Sequence, residues 1–246
     1  MCCFSQPVEV SHTQIFARMD QPGRQVLAYQ MQFESNDPVA MVLPLPTPAG
    51  ADDTALRFIS LEDMPKMFDE LYSLFHPRPR GGGRAKTGSI GALAVHIVGD
   101  FIASFVPSLA DFARLDPRFR MPRGTIDGIP EIADWGFAVF QLSATKGESK
   151  PHPMAFEFTT RDPSRLFFPT LHVHDGTVHE EAEFDHTLYA QGVDQVRTFT
   201  TTERIIGPLV AGRSRDVLDG DAKLSYREIK GPKPNRDTWV TLLDAR

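Results

Sequence analysis

Four of the eight histidines in this 246-residue chain fall between positions 172 and 186, in the run Leu171-His172-Val173-His174-Asp175-Gly176-Thr177-Val178-His179-Glu180-Glu181-Ala182-Glu183-Phe184-Asp185-His186. Neutral imidazole is the commonest side-chain metal ligand. His172 and His174 are two residues apart, the spacing that sets two side chains on one face of a strand. The run therefore reads as a metal site, with His172, His174, His179 and His186 as ligands and zinc or copper as the ion that such ligands favour. Asp175, Asp185 and Glu180 stand where they would orient imidazoles from behind. If one coordination position holds water, Glu180 or Asp185 is the expected catalytic base.

The other reactive groups are Cys2 and Cys3, the only cysteines of the chain. Adjacent cysteines seldom bridge each other, so no disulfide framework is expected. Their thiolates are soft ligands that would complete the histidine site. A second reading uses Cys2 differently. Removal of Met1 would leave a free α-amine, titrating near about 8, beside the Cys2 thiol, which is the logic of an N-terminal-nucleophile amidohydrolase. A Met-Cys start followed by Arg18 and Asp20 on the next strand resembles the bile-salt-hydrolase-like enzymes, and that resemblance implies a catalytic Cys2. A third reading is a non-enzymatic binding or scaffold protein.

That third reading would use residues 76–91, HPRPRGGGRAKTGSIG, as its partner surface. The Gly and Pro content predicts a flexible, basic surface loop. The match to a phosphate-binding loop is superficial and fails at Ala85, which stands where the motif needs glycine before Lys86-Thr87.

Around these residues the pattern is mostly that of strands. Gln14–Met19, Arg24–Glu34 and Val39–Leu45 are apolar and β-branched, divided by Asp20-Gln21-Pro22-Gly23 and Ser35-Asn36-Asp37-Pro38. Further strands are expected at Leu56–Leu61, Ala92–Val98, Phe101–Val106, Gly136–Ala144, Pro153–Thr160, Leu166–Asp175, Phe184–Gln191, Lys223–Ile229 and Thr238–Leu243. Asp162-Pro163-Ser164-Arg165 predicts a hairpin between Pro153–Thr160 and Leu166–Asp175, whose register would bring His152 opposite His174 or turn it away. Helices are expected at Glu62–Phe75, Ser108–Leu115 and Thr202–Gly212. The first shows an apolar stripe of Met64, Met67, Phe68, Leu71, Leu74 and Phe75. The expected fold is one α+β domain over residues 1–246, a mostly antiparallel sheet with a few covering helices.

Composition narrows the function classes. A net charge of −6 argues against nucleic-acid binding. No apolar run approaches the roughly 20 residues that span a bilayer. The N-terminus has neither the basic start nor the apolar core of a signal peptide, so a cytoplasmic location is expected. The order of motifs resembles an uncharacterised bacterial family of unknown function: Cys2-Cys3-Phe4 with Gln6-Pro7-Val8, then Ala40-Met41-Val42-Leu43-Pro44-Leu45-Pro46, Val98-Gly99-Asp100, Gly136-Phe137-Ala138-Val139-Phe140, and the proline-containing His152-Pro153-Met154 and Phe167-Phe168-Pro169. The resemblance implies one extended domain and brings no activity with it.

Overall fold

The computed structural model describes residues 2–76, 97–98, 101–120, 125, 129–144 and 147–242. Most of the expected loop at 76–91 and most of the expected strand Ala92–Val98 lie outside the described residues.

The protein is mainly β rather than α+β. Among the described residues there are two α-helices, α1 (Met67–Phe75) and the four-residue α2 (Pro208–Ala211). The expected helix at Ser108–Leu115 is a 3-10 segment, Leu109–Arg114. The expected helix at Thr202–Gly212 is split: its start belongs to strand Thr200–Ile205, and only Pro208–Ala211 is helical. β-Branched threonines suit a pleated strand better than a helix. α1 starts at Met67, later than the apolar stripe predicts, because Pro65 disfavours helical backbone at Met64.

Two large sheets face each other. The first has six strands, in spatial order β11 (His172–Val173), β1 (Cys2–Phe4), β4 (Val39–Leu45), β8 (Gly136–Leu142), β7 (Phe101–Val106) and β6 (Ile97–Val98). The second has seven: β13 (Thr200–Ile205), β14 (Lys223–Pro234), β12 (Glu181–Ala190), β2 (Glu9–Gln21), β3 (Arg24–Glu34), β9 (Met154–Thr159) and β5 (Leu56–Ser60). Phenylalanines fill the space between them: Phe140 meets Phe58, Phe101 and Phe156 with ring centroids 5.4–6.0 Å apart. The outer face of the seven-stranded sheet is covered by α1 and by residues 206–224, through Met67, Phe68, Leu71, Val217 and Leu218. Both faces of β3 are therefore buried. Leu27, Tyr29, Met31 and Phe33 point between the sheets, while Val26 and Ala28 point toward α1.

Pro44 lies inside β4. β1 pairs only with Met41 and Val42, so one edge of β4 has no ladder partner at the proline.

The expected hairpin is absent. Both edges of β9 are taken, by β3 and by β5. The chain after it forms β10 (Arg165–Phe168), which pairs with β15 (Thr238–Thr241) in a separate two-stranded sheet. β10 is tied back to β3 by one side chain. The buried Gln25 amide donates to the Phe167 carbonyl at 2.7 Å and accepts the Phe167 N–H at 2.9 Å. His152, which one of the two hairpin registers would have set near His174, packs against Phe101 of β7, centroids 4.6 Å apart.

Candidate functional site: the N-terminal strand and the histidine cluster

The chain begins as an interior strand. β1 is only three residues long, yet it runs parallel to β11 and antiparallel to β4, with Cys2 opposite His172 and Cys3 opposite both Val173 and Val42. The Cys2 N–H donates to the Leu171 carbonyl at 2.7 Å. Both thiols are buried, Cys2 at 2% exposure. Burial pushes the Cys2 thiol up to about 12, against an opposing hydrogen bond with the Tyr29 hydroxyl. Cys3 is raised as well, again by burial. Two neutral, enclosed thiols are poor nucleophiles and poor metal ligands in this state.

Strand β11 is held by side chains as well as by β1. The Asn235 side chain accepts the His172 N–H at 2.8 Å and donates to the His172 and His179 carbonyls at 2.9 and 3.1 Å. Asp237 accepts the Leu171 N–H at 2.9 Å. Both residues lie in the connection from β14 to β15, where the sequence pattern shows only a turn after Pro234.

Three of the four predicted histidines meet. His172 reaches across from the edge of the six-stranded sheet to His186 of β12, with Nε2 to Nε2 at 3.0 Å and centroids 4.6 Å apart. His174 lies 4.8 Å from His172 on one side and packs on the Phe4 ring on the other. Phe184 closes the group. Burial, then the neighbouring His174 charge, lowers His172 to about 3. Burial lowers His174 to about 4, opposed by Asp185 and Asp175. His186 is held well below its ordinary value, mainly by burial. All three are neutral imidazoles at neutral pH. A neutral pair in contact through Nε2 needs one donor and one acceptor. Among the described residues the buried His186 Nδ1 has no partner. Leaving a lone pair unpaired there costs less than leaving an N–H, so we assign the Nε2 proton to His186, which donates to His172.

This arrangement corrects the metal-protein reading. Among the described residues no group of three or more His, Cys, Asp or Glu side chains is placed to hold a metal ion. His172 and His186 aim their nitrogens at each other. His179 is exposed and paired with Asp175 at 2.9 Å. Glu180 is exposed, and its backbone carbonyl accepts the Asn235 N–H at 2.8 Å. Cys2 and Cys3 are turned into the core. The hydrolase alternative loses its positioned pair too: Arg18 is bonded to Asp20 at 2.7 Å and to the Val217 carbonyl at 2.9 Å, clipping residues 216–217 to β2.

What the molecule defines is thus a mainly-β protein of two facing sheets, with its first strand locked inside and its histidines serving as cross-sheet packing. Among solved structures it is similar to baculovirus P35, with 13% identity, a TM-score of 0.51, and 96% of this chain and 98% of that one covered. Two further similar structures are a mutated baculovirus P35 after caspase cleavage, at 12% identity and TM-score 0.49 over 95% of this chain and 100% of that one, and the caspase-8/P35 complex, at 12% and 0.46 over 94% and 96%. No protein-family model and no curated protein matches the chain. The similarity is one of fold, and it does not bear on the bacterial family.

No helix among the described residues is long and apolar enough to cross a membrane.

Proposed function

We propose that this chain is a non-enzymatic protein-binding protein whose partner is a cysteine protease of the caspase kind. The observation that carries the reading is its fold, which matches that of P35 from one end to the other. P35 has itself been solved in complex with caspase-8. The buried thiols and the neutral, mutually bonded histidines support a binding role over a catalytic one.

The test is inhibition. Purified caspase-8 is assayed on a fluorogenic peptide with increasing amounts of this protein, and the chain is then examined on a denaturing gel. A second arm uses an arginine-selective cysteine protease, because positions 77–99 carry Arg78, Arg80, Arg84 and Lys86 and no acidic residue. Dose-dependent loss of either activity supports the reading. Full activity of both at excess protein overturns it.

A further inference from the structure

We propose that the C-terminal half of β14 is a docking edge for an extended acidic peptide of a partner protein, captured by strand addition and held by lysine and arginine side chains. The proposal is independent of the protease reading.

The first observation is an open ladder. β13 pairs with β14 only at Lys223, Ser225 and Tyr226. Beyond Tyr226, β14 runs on to Pro234, paired with β12 on its other side alone. Among the described residues nothing pairs with its outer edge from Arg227 to Gly231. An unpaired edge of this kind is a template for a further strand. Pro232 and Pro234 end the usable stretch, since proline offers no N–H.

The second observation is the charge. The protein carries −6 overall, yet residues 223–236 hold five basic residues and one acidic. A groove of about 700 Å³ runs beside the open edge, lined by Arg227, Ile229, Lys230, Lys233, Arg236 and Trp239. Its two acids are already engaged. Glu228 is bonded to Lys230 at 2.8 Å, and Asp237 accepts the Leu171 N–H. The side chains of Arg227, Lys233 and Arg236 have no carboxylate partner among the described residues. Three cations without a carboxylate partner outnumber the remaining Asp237 charge, so the groove is net positive and favours a carboxylate-rich ligand.

The third observation selects peptide over nucleic acid. Binding single strands needs open aromatic faces for the bases to stack on. Among the described residues the groove's only aromatic ring apart from the buried Phe184 is Trp239, and it is occupied: the Arg165 guanidinium lies 4.5 Å over it, and Phe167 packs 4.9 Å away. Ile229 and the prolines supply apolar contact between the charges, which suits a strand that alternates acidic and apolar residues.

The experiment uses the full chain and a fluorescein-labelled heptapeptide of alternating glutamate and valine, read by anisotropy at low salt. Saturable binding is expected. The variant Arg227→Glu/Lys233→Glu/Arg236→Glu, with its fold checked by circular dichroism, should bind roughly tenfold or more weakly. A peptide with alternate amides N-methylated cannot add to an edge and should lose roughly as much on the unaltered protein, so this arm does not depend on the variant folding. Absence of saturable binding, affinity that survives either change, or displacement of the peptide by a tighter-binding oligothymidylate would overturn the proposal.

Discussion

His172 and His186 join the two large sheets through a single contact between their Nε2 atoms, 3.0 Å apart. The contact is lost once both rings are protonated, because two imidazolium rings would each present a donor and a positive charge. In the unfolded chain each ring titrates near 6.5, whereas in the native state burial lowers His172 to about 3 and His174 to about 4 and holds His186 well below its ordinary value. Between those limits the unfolded chain binds more protons, so stability rises with pH. It is complete above about 6.5 and drains away as acid is added, by up to about 1.4 kcal/mol per pH unit for each histidine. The expected outcome is an acid-unfolding transition between neutrality and pH 4, followed by circular dichroism. In His186→Phe the transition should move to lower pH, because one proton fewer drives it. An unmoved midpoint would count against this account.

The Cys2 thiol makes the second prediction. Enclosed in β1 and pushed up to about 12, it should stay unlabelled by a thiol reagent in the native protein at pH 8 and react together with Cys3 once the chain is unfolded. Tyr29→Phe removes the hydrogen bond to the thiol and should cost about 1 kcal/mol in urea unfolding. Rapid native labelling of Cys2 would show that β1 leaves its place in the sheet.

How much of this was legible in the residues themselves differs by element. β3 is legible to both of its ends, because Leu27, Tyr29, Met31 and Phe33 alternate with Val26 and Ala28, and a period of two survives burial of both faces. Three of the four clustered histidines do meet, while His179 stands apart on Asp175. Their role was not legible: spacing cannot show that His172 turns toward His186 instead of toward a shared ion. β10 and β11 were read as one strand, and the break falls at Pro169, which leaves β10 free to leave the sheet. The partner of β10 lies at the far end of the chain, in β15, and no local pattern encodes that pairing. Asn235 carried no signal beyond its turn-like neighbours, although it clamps β11.

Glu157 yields a prediction about the edge of the seven-stranded sheet. At 7% exposure it sits on β9 between Arg24 of β3 and Arg57 of β5, bonded to each at 2.8 Å. The Arg24 hydrogen bond comes first in holding its carboxyl below the usual range. Glu157→Ala would leave two arginines without their shared partner and should destabilise the fold by about 1–3 kcal/mol in urea unfolding. Glu157→Gln keeps the shape and one acceptor, so it should lose less. Equal loss in the two variants would show that packing, not charge, holds this site.

The sharpest stability prediction concerns Gln25. Its side chain stands in for a missing strand, giving β10 at Phe167 the donor and acceptor that no neighbour supplies. Replacing it by Leu conserves much of the volume but leaves a buried N–H and a buried carbonyl unpaired. Each such group costs about 1–3 kcal/mol, so Gln25→Leu should lose about 2–5 kcal/mol. Gln25→Glu should fare little better: the carboxylate still accepts from the Phe167 N–H, but it cannot donate to the Phe167 carbonyl and would be a charge in the core. Amide hydrogen exchange at Phe167 separates this mechanism from a general loosening. The Phe167 amide should lose protection in Gln25→Leu while those of β3 and β9 keep theirs. Uniform loss of protection across the sheet would instead mean that the substitution acts on packing, with the two hydrogen bonds incidental to it.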